Sequence, residues 1–375
     1  MDVCILGWYG TETMGDRAIL DGIIRIFNKS FNIHRFYIGS LFDFFSERTL
    51  LQDGAIYQTV GDFDFCIFKE KNEKQLKSAI QASDIIIMGG GPITNIDACF
   101  IIKKGFEIAR KYGKPTVLFG CGFGPFYCKR YIDLAKELLS LSDLCIFRDE
   151  YSLQRAKTYL QGKNMIHMPD PAIISILEYS KNHERKINNS EVTINFRYAE
   201  AAAYPGSRDY LIEFKKLISA LSNEFENIIM IPMHTFFYGG DDREFFCEVI
   251  DGLDASNVKI DHVPKNLYEL YDAFSNSYGC IGMRYHSVVM QTLLNGNNVI
   301  LEYTNPKEGK IRGFMEELKS STFYKDRILS ITTDRIDVSS VIKQLKNGER
   351  FKENIYSSSL IDYSKMLRAF YGNRK

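Results

Sequence analysis

The stretch "CIGMRYHSVVMQTLLNGNNVILEY", Cys280 to Tyr303, decides the fold. It opens and closes on short apolar runs, and the segment between them has helical spacing from Ser287 with Gly296 as its stop. Strand, helix, strand in about two dozen residues is a parallel crossover unit. Arg284 and His286 fall on the turn from the first strand into the helix. Such turns lie at the carboxyl edge of a parallel sheet, where unpaired N–H groups and the positive end of the helix dipole favour an anion. Arginine adds a planar fork of donors suited to carboxylate or phosphate, and histidine a proton exchangeable near neutral pH. In isolation the pair also fits a surface arginine beside a structural histidine.

The same alternation runs through the whole chain. In the first half "VCILGW", "DIIIMGG", "PTVLFGCG" and "DLCIFRD" have the form of strands, and "GDRAILDGIIRIF", "DACFIIKKGFEIARKYG" and "RYIDLAKELLSLS" that of helices. The segment 178–191 is polar and without period, so a linker is expected there. The pattern restarts with "VTINFR", "NIIMIPMH", "NVKIDHV", "YGCIGMR" and "NVILEY". The expected organisation is a doubly wound α/β domain over 1–177, a linker over 178–191, a second such domain over 192–334 and a helical extension over 335–375. A site is expected where carboxyl ends of the two sheets face a cleft.

Composition narrows the function. The chain has 375 residues, beyond the usual size of one core, and 45% hydrophobic residues with 13% aromatics exclude a disordered protein. Lys plus Arg equals Asp plus Glu at 47 each, so no global field attracts nucleic acid. No apolar run reaches the ~18 residues of a membrane span, and the first residues read as a strand rather than a signal peptide. The eight cysteines include no C-x-x-C pair and are expected to be reduced, in the cytoplasm.

Other strand ends supply further candidates. Asp16 follows a glycine-bracketed loop and can cap the next helix. Gly90 and Gly91 leave room for a ligand to approach the backbone, although a tight turn would also use them. Arg197 and His234 end two strands of the second half, and Lys310 stands just beyond the strand ending at Tyr303. The glycines of "FGCGFGPF" do not form the dinucleotide fingerprint, which argues against NAD. Asp62 and Asp64 form a D-x-D pair, a spacing common by chance, and no metal site is expected.

Taken together these turns resemble the polysaccharide pyruvyl transferase family over residues 1 to about 320. "GMRYHSVVMQTLLNGNNVILEY" followed by "KIRGF" is similar to the family's R-x-H-S turn and K-x-x-G-F segment, with support from "GWYGTETMGDRAIL", "MGGGP", "CGFGPF", "FRDEYS" and "PDPA". The resemblance implies two Rossmann-like domains facing across a cleft, GT-B-like, and phosphoenolpyruvate as co-substrate with no cofactor. It implies transfer of the pyruvyl group onto two hydroxyls of a glycan sugar as a ketal, in cell-surface polysaccharide biosynthesis. Arg197, Arg284, Ser287 and Lys310 would then bind phosphoenolpyruvate and His286 would be the acid. Asp16, Gly90, Gly91 and His234 would line the acceptor side or the cleft. The acceptor would be a glycan or lipid-linked saccharide, met in the cytoplasm or at the inner face of the membrane without an integral segment. Here the usual G-N-x-G-D opening is replaced by Thr11-Glu12-Thr13-Met14-Gly15-Asp16. Two other functions fit the same architecture: a nucleotide-sugar glycosyltransferase and a non-catalytic glycan- or anion-binding protein.

Overall fold

The structure is a computed structural model, which describes residues 1–198, 210–303, 309–318, 321–331, 335–352 and 355–372. It contains two parallel sheets. The first holds β1 (Asp2–Leu6), β2 (Arg35–Ser40), β3 (Asp64–Lys69), β4 (Ile85–Gly89), β5 (Pro92–Ile93), β6 (Thr116–Phe123), β7 (Leu144–Phe147) and β8 (Met165–His167). Its order is 3-2-1-4-6-7-8, with β5 pairing β6. The second holds β9 (Asn188–Asn195), β10 (Asn227–Met230), β11 (Val258–Ile260), β12 (Ser277–Gly282), β13 (Asn298–Glu302) and β14 (Ile328–Ser330), in the order 11-10-9-12-13-14. Both orders are doubly wound: the chain travels outward from the first strand of each sheet, then returns to its other side.

Burial explains why these segments became strands. Every residue of β4, β6, β7 and β13 is buried, as expected for central strands covered by helices on both faces. Gly113 and Gly296 take positive φ of 63° and 78° just past helix ends, the second at the stop its placement in the sequence implied. The helix Tyr285–Met290 continues into a π-helical turn, Gln291–Asn295, before Gly296 ends it. Nothing in the apolar spacing announced that extra residue per turn.

The chain groups into two compact units: residues 1–12, 16–175 and 356–375 form one, and residues 13–15 and 176–355 the other. The polar segment 178–191, expected as a linker, holds the last turns of the helix Pro171–Asn182 and the first residues of β9. Its lack of period reflects exposure, because residues 181–184 and 186–189 all face solvent while Tyr179 beside them is buried and bonds Asp272. The C-terminal segment is likewise two things. The helix Val338–Lys346 belongs to the second unit; the helix Ser359–Gly372 belongs to the first, where the Tyr363 hydroxyl donates to the Pro169 carbonyl at 2.6 Å. Residue 334, the expected end of the second domain, lies outside the described residues. All eight cysteines are unpaired, and no helix among the described residues is long and apolar enough to cross a membrane.

Candidate active site

In the second unit the strand order reverses between β9 and β12, and ligands of doubly wound sheets bind at the carboxyl ends flanking such a point. Asn195, the last residue of β9, is fully buried and ties three strand ends together. Its Nδ2 donates to the Ile231 carbonyl at 2.9 Å and to Asp242 at 3.3 Å, and its Oδ1 accepts from the Arg284 amide at 3.3 Å. Arg284 is extended (φ −69°, ψ 142°) and immediately precedes the helix Tyr285–Met290.

Asp242, at the start of the helix Asp242–Ile250, is the hub of this edge. Its carboxylate is 1% exposed and accepts from the amides of Met233 and His234 at 3.0 and 3.1 Å. Arg284 meets it as a fork, with Nε 2.9 Å from both oxygens and Nη2 2.6 Å from Oδ1. Such a charge-assisted fork fixes the guanidinium plane, and Nη1 takes no part in it.

A second group forms around Tyr303, one residue beyond β13 and buried. Arg197 Nη1 donates to its hydroxyl at 3.2 Å and the guanidinium lies 5.0 Å from its ring. Lys310, first residue of the helix Lys310–Glu317, also bonds the phenol, with Nζ 5.9 Å from the Tyr303 ring and 6.0 Å from that of Tyr285. Burial alone would push the Tyr303 phenol up, but the charges of Lys310, Arg197 and Arg284 and the Lys310 hydrogen bond outweigh it and hold the phenol at about 8. Three cations thus act on one buried oxygen. Arg197 Nε is buried and meets no hydrogen-bond partner among the described residues, a costly state that an anionic acceptor would relieve.

The remaining sequence candidates fare differently. The Ser287 hydroxyl is buried and donates to the Arg284 carbonyl at 2.7 Å, so it holds the turn. The His286 ring lies against Gly15, where an added Cβ would fall 2.1 Å from Nδ1. His234 is engaged on both ring nitrogens: Nε2 donates to the Tyr238 carbonyl at 2.9 Å, which leaves Nδ1 to accept from the Thr13 hydroxyl at 2.7 Å. Burial first, then the Arg284 charge, push its proton affinity down, so it is a neutral tether for the segment Thr13–Gly15. Asp16 lies within the first turn of the helix Met14–Ser30 rather than ahead of it, because the helix begins three residues earlier than the expected cap requires. The room expected beside Gly90 and Gly91 is filled: a Cβ there would fall 2.3 Å from Ile19 Cγ2 and 2.2 Å from Trp8 Cδ1. Their φ of 71° and 72° serve a tight turn after β4.

Fold and site together define a two-unit parallel α/β protein whose second sheet carries Arg197, Arg284 and Lys310 at its carboxyl edge. The chain belongs to the polysaccharide pyruvyl transferase family, whose model matches residues 14–305. That match includes Arg197, Arg284, His286 and Tyr303, and stops short of Lys310. Membership makes the protein a transferase, with a role in pyruvyl transfer in polysaccharide biosynthesis. Among curated proteins no sequence matches. Similar solved structures include Anabaena Alr3699/HepE in complex with UDP-glucose, at 13% identity and TM-score 0.57 over 100% of both chains. The UDP-GlcNAc 2-epimerase of Methanocaldococcus jannaschii aligns at 11% identity and TM-score 0.61, over 99% of this chain and 100% of that one. S. aureus MnaA with UDP aligns at 11% and 0.59, over 100% and 97%. At these identities the likeness shows a common GT-B-like fold and nothing about substrate.

Proposed function

We propose that the protein takes phosphoenolpyruvate as donor and builds a pyruvate ketal on two hydroxyls of a glycan sugar, releasing phosphate. The observation that carries this reading is that Arg197 and Lys310 both bond the Tyr303 oxygen and the Arg284 charge acts on it, with Arg197 Nε buried and without a hydrogen-bond partner among the described residues. A carboxylate and a phosphate on one small skeleton match a set of rigid cations better than a single-anion ligand would. Arg197 and Lys310 grip one anionic group, while Arg284, oriented by Asp242, reaches the other.

The chemistry then needs a proton on the terminal enol carbon, which makes the neighbouring carbon electron-poor. His286, as imidazolium, is the acid in this reading. One sugar hydroxyl attacks that carbon and loses its proton; phosphate departs with the C–O bonding pair; the second hydroxyl attacks, loses its proton and closes the ring. The cations that held the donor stabilise the leaving phosphate. The acceptor is a glycan or lipid-linked saccharide, and the Thr13–Gly15 segment, which lies against His286 and His234, belongs to its side of the site.

The test is incubation of the purified protein with phosphoenolpyruvate and lipid-linked saccharide intermediates, followed by mass analysis and phosphate assay. Ketal formation with equal phosphate release supports the reading. Turnover only with a nucleotide sugar would replace it with glycosyl transfer.

A further inference from the structure

We propose that Tyr303 is a working residue of the donor site: its phenolic oxygen holds Arg197 and Lys310 in the free protein, and donates a hydrogen bond to the donor's anionic oxygen once that arrives. This rests on the donor reading above and adds that donor binding carries a proton onto Tyr303.

The geometry places one oxygen where an anion would sit. Tyr303 comes directly after β13 and is 3% exposed, so its ring is fixed by packing. Arg197, beyond β9, reaches its hydroxyl at 3.2 Å; Lys310, from the following helix, bonds the same atom; Arg284, beyond β12, adds its charge. Tyr285 shares Lys310 with it. An oxygen that accepts from two cations is best served as phenolate, which is why the phenol is held down at about 8 in the free protein.

A donor bringing a phosphate and a carboxylate cancels that field. Arg197 and Lys310 then turn their hydrogen bonds to donor oxygens, and the phenolic oxygen, facing new negative charge, keeps a proton and points it at the ligand. The sign follows. The free protein releases the Tyr303 proton above about pH 8, the complex retains it, and donor binding must weaken as pH rises through that value.

With the bound phenol back near the ordinary tyrosine value of about 10, binding at pH 9 takes up ~0.8 proton and the dissociation constant rises about tenfold from pH 7 to pH 9. No covalent step is involved. Tyr303 acts by holding the cations and handing over a hydrogen bond.

The experiment is calorimetric titration of the full chain with phosphoenolpyruvate at pH 7 and pH 9, each in two buffers of different ionisation heat, for wild type and Tyr303→Phe. Wild type is expected to show the proton uptake and the tenfold weakening, and Tyr303→Phe less than ~0.2 proton and no more than about a twofold change. Equal uptake in both proteins, or an equal loss of affinity at both pH values in the variant, overturns the proposal and leaves Tyr303 a packing residue. If Tyr303→Phe does not fold, tyrosinate absorbance of wild type with and without donor decides. One tyrosine titrating near pH 8 and shifting upward with donor supports the proposal, and no such tyrosine overturns it. A parallel titration with inorganic phosphate separates the two readings. Proton-linked phosphate binding without phosphoenolpyruvate binding keeps the Tyr303 role and removes the donor assignment, whereas binding of neither ligand removes both.

Discussion

Replacing Asp242 with Asn removes one charge and almost no volume, so its consequences belong to the ion pair and the hydrogen bonds and not to packing. The carboxylate accepts from two backbone amides, from Asn195 and from the Arg284 fork, with 1% exposure. An asparagine keeps one acceptor oxygen. Set toward the Met233 and His234 amides, it turns its NH2 at Arg284 Nη2, donor against donor, and the fork is lost. Hydrogen bonds to charged groups are each worth about 1.5–3 kcal/mol, and breaking a buried pair costs about 3–5 kcal/mol, so a loss of ~3–4 kcal/mol is expected. For a domain of this size that is a fall of roughly 6–16 °C in the transition temperature of the second unit, read by scanning calorimetry of the full chain. A double-mutant cycle with Arg284→Met isolates the pair, with an expected coupling of ~1–3 kcal/mol. A shift of Asp242→Asn below about 1 kcal/mol, or a coupling near zero, would refute the role of Asp242 as the hub joining the ends of β9, β10 and β12.

Other perturbations test the site and the frame separately. Arg197→Lys and Arg284→Lys keep the charge and lose the fork, and each should raise the donor KM about tenfold or more; unchanged donor kinetics would detach that residue from the donor. His286→Gln should leave calorimetric donor binding within a few-fold and cut kcat by about 10², and near-normal turnover would move the acid elsewhere. His234 is no reserve for that role, since both its ring nitrogens are already engaged and burial keeps it neutral. In the first unit, burial pushes the Glu70 carboxyl up to about 8, the Gly7 amide and then the Lys71 charge lowering it only in part. Below the ordinary carboxyl value both folded and unfolded chains are protonated; between there and about pH 8 only the unfolded chain ionises, so stability falls as pH rises. Glu70→Gln should match wild type near pH 4 and be ~2–4 kcal/mol more stable at pH 8, by denaturant unfolding at both pH values; a constant difference would contradict this.

Central strands were legible because burial on both faces leaves an unbroken apolar run, as in "DIIIMGG" and "NVILEY". The strands that escaped were mostly at sheet edges. β3 has one fully buried residue, β8 and β14 none, and each is short or polar enough to read as loop. Arg284 and His286 were legible for a different reason: a strand followed at once by a helix puts its turn at the carboxyl edge whatever the rest of the fold does. Asp242 and Asn195 carried no such signal. An aspartate opening a helix reads as a cap, an asparagine closing a strand as a boundary, and their bonds to Arg284 span 42 and 89 residues of sequence. Tyr303 was visible as a strand end, but its role depends on cations from two separate segments bonding one hydroxyl and a third segment adding its charge.

The central claim is that the cation set around Tyr303 is a site for phosphoenolpyruvate from which pyruvyl transfer proceeds. It is tested most directly by supplying phosphoenolpyruvate labelled at its carboxyl carbon together with lipid-linked saccharide, and following the label. The expected result is label in the saccharide with one phosphate released per ketal, abolished in Arg197→Ala. Label remaining in phosphoenolpyruvate while a nucleotide sugar is consumed, or saccharide labelling unaffected by Arg197→Ala, would contradict it.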